Sequence, residues 1–238
     1  MTTLTTQIAL TTQVGETTQT AAHPASSRHP RRTALPLRTA PASTGIAYTV
    51  SWIAGLSVGA PSPAFADSGA KIVGLLAGRH TVLVANFVLT EGLPAAGLAA
   101  IAVFAARAAR AAGAATAARV ALIAGSVAAA ISALQCVLGV AAAGSTSPDT
   151  AHLLLTSLDR LDGVKMFLIA ALAGAAVAAK VLPRWLNITG IALAVTIAAS
   201  GIAFLLLIQS LAMAAYASGV LLLVFMTGTG IALGRAVK

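Results

Sequence analysis

One acidic residue stands inside a long apolar stretch of this chain, and it has the clearest capacity for chemistry. Glu91 lies in the sequence Asn-Phe-Val-Leu-Thr-Glu-Gly-Leu-Pro, residues 86–94, within an apolar run of residues 81–106. A carboxylate in an apolar helix must be protonated, paired or in contact with water, because burying it unpaired is costly. Pro94 removes a backbone hydrogen bond and predicts a kink within one turn of Glu91. Glu91 could therefore bind a proton or a cation, or it could serve as a hydrogen-bonding group between helices.

Five further polar residues are expected near Glu91. Gln135 lies at a comparable depth in the next apolar run, and His80 precedes Glu91 by eleven residues, about three helical turns. The polar pocket that the sequence predicts consists of His80, Asn86, Glu91, Gln135, Asp162 and Lys165. The alternative is a scatter of separate hydrogen bonds that hold neighbouring helices together.

The remaining polar residues give no catalytic or metal-binding pattern. The sequence has no Walker A loop, GxSxG, HExxH, CxxC or dinucleotide-binding motif. Its single cysteine, Cys136, excludes an intramolecular disulfide. His80 and His152 have no carboxylate or cysteine at ligand spacing. We therefore expect no catalytic residue, no metal and no cofactor.

The elements that would carry these residues are transmembrane helices. Of 238 residues, 58% are hydrophobic and 9% are charged, against about 25% charged in a soluble domain. The mean hydropathy is +0.91. Apolar runs of roughly membrane-spanning length cover residues 81–106, 120–143, 163–181, 186–208 and 211–233. The sequence predicts an all-α fold, a polytopic transmembrane helical bundle.

Two boundaries between these runs depend on specific arguments. As one helix, residues 186–233 would be about 72 Å long, over twice the roughly 30 Å hydrocarbon core. A tight hairpin is therefore predicted at Gln209 and Ser210, the most polar point of the run. The longest loop is predicted at about residues 144–162, where Thr156 and Asp159 resemble a capping box before the next helix.

The first 66 residues allow two interpretations. Residues 1–44 are rich in Thr, Ser, Pro and Arg, and they predict a disordered basic tail. Residues 45–66 are an apolar stretch that ends in Ala-Phe-Ala. They are either the apolar region of a signal peptide cleaved after Ala66 or a first transmembrane helix with a Gly55–Gly59 pair. The bundle over residues 67–238 then has five helices, or six helices together with residues 45–66.

The formal charge of +9 is explained better by the topology of a membrane protein than by a nucleic-acid-binding surface. With the N-terminus inside and alternating spans, eleven basic residues lie inside and four lie outside. This asymmetry predicts a cytoplasmic C-terminus, and the Ala-rich composition favours a bacterial plasma membrane. Only 4% of the residues are aromatic, so we expect no nucleic-acid partner. The basic residues counted inside are Arg28, Arg31, Arg32, Arg38, Arg107, Arg110, Arg119, Lys180, Arg184, Arg235 and Lys238.

The join between two of the apolar runs carries a family resemblance. The sequence Leu-Pro-Arg-Trp-Leu at residues 182–186, followed by Gly190, is similar to the LPRWL join of DUF4386-like multi-pass membrane proteins, which are uncharacterised proteins of actinobacteria. The resemblance implies a helical membrane bundle and no particular activity.

Two functions remain open from the sequence. The first is a non-enzymatic accessory, scaffold or sensory component of a membrane assembly. Its GxxxG faces, such as Gly230 with Gly234, would pack against a membrane-protein partner or a second copy of the chain. The second is a small-solute or proton-coupled carrier that uses the intramembrane carboxylate of Glu91. An intramembrane enzyme is least expected, because no nucleophile and base occur in a recognisable arrangement.

Overall fold

The computed structural model describes residues 39–236, and these residues form helices joined by short loops without any strand. Five of the helices are long and apolar enough to cross a membrane. They cover His80–Ala111, Ala115–Ala143, Pro148–Ala178, Arg184–Leu206 and Gln209–Arg235. The described part of the chain is therefore all-α, and its five long apolar helices are compatible with an integral membrane protein.

The helices follow one another in this order: α1 (Ala40–Ser57), α2 (Gly69–Leu76), α3 (His80–Phe87), a π-helical turn (Val88–Gly92), α4 (Leu93–Ala111), α5 (Ala115–Ala143), α6 (Pro148–Ala178), α7 (Arg184–Leu206), α8 (Gln209–Ala212) and α9 (Ala214–Ala236). The first of the five long helices thus comprises α3, the π turn and α4. The last comprises α8 and most of α9.

Helix α1 is shorter and is not one of the five. It has 18 residues, which corresponds to about 27 Å, but it is not among the helices that are both long and apolar enough to cross a membrane. The six-helix count therefore stays a prediction. The helix begins at Ala40, five residues before the apolar run at Gly45, so residues 40–44 of the predicted tail form its first turn. Residues 1–38 of that tail lie outside the described residues.

Small residues bring α1 close to α9, in an antiparallel arrangement. A Cβ atom at Gly45 would lie 2.5 Å from the carbonyl oxygen of Met226, and one at Gly230 would overlap the carbonyl oxygen of Pro41. The hydroxyl groups of Thr49 and Thr227 are 2.7 Å apart and share a hydrogen bond. Glycine at these positions allows the two backbones to touch, as small residues do in membrane helix pairs.

The core of the bundle lies between α4, α5, α6, α7 and α9. Its larger side chains include Leu98, Leu172, Leu193 and Phe225, each at most 2% exposed. Alanine fills much of the remaining contact surface, with Ala102, Ala118, Ala128 and Ala173 fully buried. Such small side chains let neighbouring helices approach closely, and they fix where the longer polar side chains can extend.

The predicted loop over residues 144–162 is wrong, because most of it belongs to α6. The helix begins at Pro148, where the missing N–H of a first-turn proline costs nothing. The hydroxyl of Ser147 accepts a hydrogen bond from the Thr150 N–H at 3.4 Å, so Ser147 is the N-cap. The capping box proposed for Thr156 and Asp159 is therefore also wrong, because both residues lie inside the helix.

The predicted hairpin between the last two apolar runs is present, two residues earlier than expected. Helix α7 ends at Leu206, and Leu207 adopts a left-handed conformation with φ 54°. The Ile208 N–H then donates to the Ala203 carbonyl at 2.8 Å, which is the hydrogen bond of a Schellman motif at the end of a helix. The side chain of Gln209 accepts from the Phe65 N–H at 3.2 Å, which ties the connection between α1 and α2 to this turn.

Candidate functional site

A break in the helix beside Glu91 opens the site. The irregularity predicted from Pro94 is a π turn, in which the Leu93 N–H bonds to the Val88 carbonyl five residues back. In the same register the Leu89 carbonyl would need an N–H from Pro94, which proline lacks. The Ser51 hydroxyl of α1 donates to this carbonyl at 2.6 Å. Helix α1 therefore satisfies the backbone acceptor that the break leaves free, as broken membrane helices require.

Replacing Ser51 by alanine is expected to lower the stability of the folded protein by about 1 kcal/mol. Side-chain hydrogen bonds inside membranes average about 0.6 kcal/mol with a maximum near 1.7. Among the described residues, Ser51 is the one side chain that donates to the Leu89 carbonyl, and the variant removes it. Thermal unfolding in a mild detergent measures the difference. Ser57→Ala is the matched control, because the Ser57 hydroxyl is exposed and bonds only within its own helix, to the Ile53 carbonyl. Equal midpoints of thermal unfolding for Ser51→Ala and Ser57→Ala would contradict the stabilising role given to the Ser51 hydrogen bond.

A cluster of three charged side chains joins two of the long helices. The Lys165 Nζ of α6 lies 2.9 Å and 2.8 Å from the two carboxylate oxygens of Glu91. The same ammonium lies 2.7 Å from the Asp162 Oδ1, one turn away on its own helix. We call these three residues the charged cluster. One lysine thus bridges two carboxylates that lie on different helices.

Helix α5 completes the cluster with two neutral side chains. The Ser132 hydroxyl donates to the Glu91 Oε2 at 2.8 Å. The Gln135 side-chain amide donates to the Leu158 carbonyl at 3.1 Å and to the Asp162 Oδ1 at 3.3 Å. Three helices are therefore cross-linked at one level by charge-assisted hydrogen bonds, which are stronger than neutral ones.

The charged cluster is largely buried and is not electrically balanced. The side chains of Lys165, Glu91 and Asp162 are 11%, 16% and 20% exposed. With both acids ionised, two negative charges face one positive charge. Charge in a low-dielectric environment is costly unless it is compensated. The arrangement therefore favours the uptake of one further positive charge, as a proton on a carboxylate or as a bound cation.

Two cavities meet at Glu91. The inner cavity has a volume of about 240 Å³, and its wall includes Lys165 and Asp162. The outer cavity, of about 350 Å³, lies under the connection between α1 and α2, and its wall includes Asp159. Both cavities are lined by Trp52, Thr90 and Glu91. Glu91 thus lies between a polar outer cavity and an inner cavity that is also lined by Lys165 and Asp162.

The structure brings together four of the six predicted pocket residues: Glu91, Gln135, Asp162 and Lys165. Asn86 lies on the outer cavity instead, and its side-chain amide donates to the Gly55 carbonyl of α1 at 2.9 Å. His80 is exposed at the start of α3 and lines neither cavity. Glu91 lies in the π turn, which has more residues per turn than an α-helix. The direction of its side chain relative to His80 therefore cannot be obtained by counting regular α-helical turns.

Sequence reasoning missed several residues that line the site. Ser132 precedes Gln135 by three residues and so shares its helix face, a spacing that could have identified it. Tyr48 and Trp52 line the inner cavity from α1, four residues apart on one face. Their segment also fits the apolar region of a signal peptide, so the sequence alone does not place them at the site. Asp159 falls in the loop predicted over residues 144–162, so the sequence does not place it near Glu91.

Fold and site together define a helical bundle with a buried charged cluster, and its five long apolar helices are compatible with an integral membrane protein. No family model matches the chain, and no curated protein or solved structure matches it either. The resemblance to DUF4386-like proteins through the LPRWL join therefore stays a prediction.

Proposed function

We propose that this protein is a carrier in the membrane that takes up a proton at the charged cluster and couples it to the binding of a small polar solute. The observation that carries the proposal is the position of Glu91. Its carboxylate is ion-paired to Lys165, and Glu91 is one of the residues that line both the inner and the outer cavity. A purely structural ion pair needs no such access to a polar space.

Charge balance explains why a proton would bind there. When Glu91 and Asp162 are both ionised, protonation of either one leaves a neutral cluster with Lys165. The Lys165 ammonium could then pair with a single carboxylate, and the other acid would be free to donate a hydrogen bond into a cavity. A change in protonation would therefore alter the hydrogen-bonding capacity of the cavity wall, which is what coupling of a proton to a solute requires.

The accessory and scaffold interpretation receives less support from the contacts. It relied on small-residue faces that are free to bind a partner. Gly230, in one of those faces, packs inside the chain against α1 instead. A sensory role would use the same charged cluster and would differ from a carrier only in that the solute does not cross the membrane.

The test of the proposal is proton binding by the purified protein. A pH indicator measures the protons taken up in detergent when the pH falls from about 8 to about 5. We expect the wild-type protein to take up about one proton more than the Glu91→Gln variant, in which the cluster is already balanced. Asp67→Asn is the control for loss of an acid elsewhere, because Asp67 lies outside the long helices. Equal uptake by the wild-type protein and Glu91→Gln would overturn the proposal.

A second measurement separates a carrier from a sensor. Proteoliposomes with a trapped pH indicator receive neutral amino acids, small amines or sugars on one side. In a carrier, at least one of these solutes drives proton movement in the wild-type protein, and Glu91→Gln abolishes that movement. In a sensor, the proton binds in detergent, but no solute moves protons across the bilayer.

Charge distribution supports the orientation in the membrane. The end of the bundle where α4, α6 and α9 finish carries Arg110, Lys180 and Arg235. The outer cavity lies at the opposite end. By the positive-inside rule the basic end faces the cytoplasm of a bacterial plasma membrane, so the proton would enter from outside.

A further inference from the structure

A long groove runs along the outside of the bundle, and its lining contains no residue of the charged cluster. Its floor is α9, its sides are α1 and the start of α7, and its volume is about 890 Å³. The residues that line it are Thr49, Ile53, Pro183, Trp185, Val220, Leu223, Val224, Thr227, Gly228, Ile231, Ala232 and Arg235. None of them contributes to the wall of the inner or outer cavity.

The groove is apolar along its length. The two threonine hydroxyls in it bond to each other, as described above, so they offer little to a polar ligand. Val220 and Val224 are 64% and 44% exposed, which means that the groove faces outward from the bundle. Its lining on α9 runs from Val220 to Arg235, a length of about 22 Å. That length suits an extended hydrocarbon chain.

Charge is confined to one end of the groove. Arg235 is in the last turn of α9, and it is the only charged residue in the lining. Among the described residues, no ion pair is formed by its guanidinium. Trp185 lines the groove near the start of α7 and is 53% exposed. Arginine and tryptophan at the end of membrane helices are typical of the level of the lipid headgroups.

We propose that this groove binds one anionic phospholipid, with an acyl chain along α9 and the phosphate at Arg235. An apolar channel with a single cationic end matches the shape and charge of such a lipid. Basic pockets between transmembrane helices on the cytoplasmic side recognise anionic headgroups in this way. Residues 1–38 are a poor occupant, because they carry four arginines that Arg235 would repel.

Native mass spectrometry of the full chain in a mild detergent tests the proposal. The probes are phosphatidylglycerol and phosphatidylcholine with identical acyl chains, each titrated separately. We expect Arg235→Gln to weaken phosphatidylglycerol binding about fivefold and to leave phosphatidylcholine binding unchanged. This factor corresponds to about 1 kcal/mol for one basic residue near anionic lipid. The control is Arg110→Gln, which removes an arginine from the last turn of α4.

A groove-filling variant makes the test independent of charge. Val224→Trp places a large side chain in the groove at an exposed position, and it is expected to weaken the binding of both lipids. If Arg235→Gln and Arg110→Gln have equal effects, or if Val224→Trp binds phosphatidylglycerol as the wild-type protein does, the proposal fails. A dimer that Val224→Trp dissociates would assign the groove to a second copy. Stronger lipid binding after removal of residues 1–38 would mean that these residues occupy the groove.

Discussion

Replacing Lys165 by methionine is expected to destabilise the folded protein by about 3–5 kcal/mol, the usual cost of removing one partner from a buried ion pair. Methionine fills similar space, so the loss is mainly electrostatic. Glu91 and Asp162 would remain in a buried site without the ammonium that bridges them. For a chain of this size each kcal/mol corresponds to about 2–4 °C. The midpoint of thermal unfolding in detergent should therefore fall by about 10 °C.

Two variants control the Lys165 experiment. Adding Glu91→Gln and Asp162→Asn to Lys165→Met removes the stranded charges, and we expect most of the lost stability to return. Lys71→Met breaks the pair of Lys71 with Asp67, in which Lys71 is 61% exposed, and should change the midpoint little. A small effect of Lys165→Met, comparable to that of Lys71→Met, would mean that the charged cluster is not buried as described.

The Lys71 pair does, however, affect the titration of its partner. The hydrogen bond from Lys71, together with one from the Ala64 N–H, holds the pKa of Asp67 below its ordinary value. Since Asp67 is ionised in this pair, the pair's contribution to folding stability is fully present above the ordinary pKa of Asp67. That contribution disappears as the pH falls through the lowered pKa. Asp67 therefore stays ionised between pH 8 and pH 5, and Asp67→Asn is expected to leave the proton uptake in that range unchanged.

A chain that begins at Asp67 is expected to lose the folded bundle, because it lacks α1. The side-chain hydrogen bonds that cross from α1, at about 0.6 kcal/mol each, together amount to about 2–3 kcal/mol. They include the bonds of Ser51 to Leu89, of Asn86 to Gly55 and of Thr49 to Thr227. Loss of α1 also removes Tyr48 and Trp52 from the wall of the inner cavity. Size-exclusion chromatography of the truncated protein should show aggregation rather than a single peak.

Co-expression controls the truncation experiment. Residues 1–66 supplied as a separate chain should restore a single peak if α1 acts through its contacts with α9 and the π turn. A truncated protein that is monodisperse and as heat-resistant as the full chain would favour the signal-peptide interpretation of residues 45–66. Sequencing the N-terminus of the protein from its native membrane distinguishes the two interpretations independently.

Several parts of the site could be predicted from the sequence. The depth of Glu91 in an apolar run, and of Gln135 in the next, followed from counting residues along helices. Lys165 and Asp162 followed from their position at the outer end of the run over residues 163–181, on the same side of the bundle as Glu91. The helical region after residue 148 was missed, since Asp159, Arg160 and Asp162 gave it the composition of a loop. Two of those charges are explained only by the tertiary structure, where they line a cavity or pair with Lys165.

The role of α1 could not have been derived from local sequence. Its Ser51 matters because Pro94, 43 residues later, leaves a carbonyl unpaired in a π turn. Nothing in residues 45–66 alone indicates that acceptor. Likewise, the expected alignment of His80 with Glu91 assumed a regular helix, and the π turn is visible only in the structure. Both differences arise from one irregularity in one helix.

Access of water to the charged cluster is the central claim, and cysteine labelling tests it most directly. Thr90 lines both cavities, so Thr90→Cys is made in a Cys136→Ala background, which removes the single native cysteine. Val137→Cys is the control. Val137 is 65% exposed on the outer face of α5 and lines neither cavity, so in a bilayer its side chain should contact lipid and not water. We expect a small water-soluble methanethiosulfonate reagent to label Thr90→Cys in intact proteoliposomes and to leave Val137→Cys unlabelled. Failure to label Thr90→Cys until the protein is denatured would contradict the account.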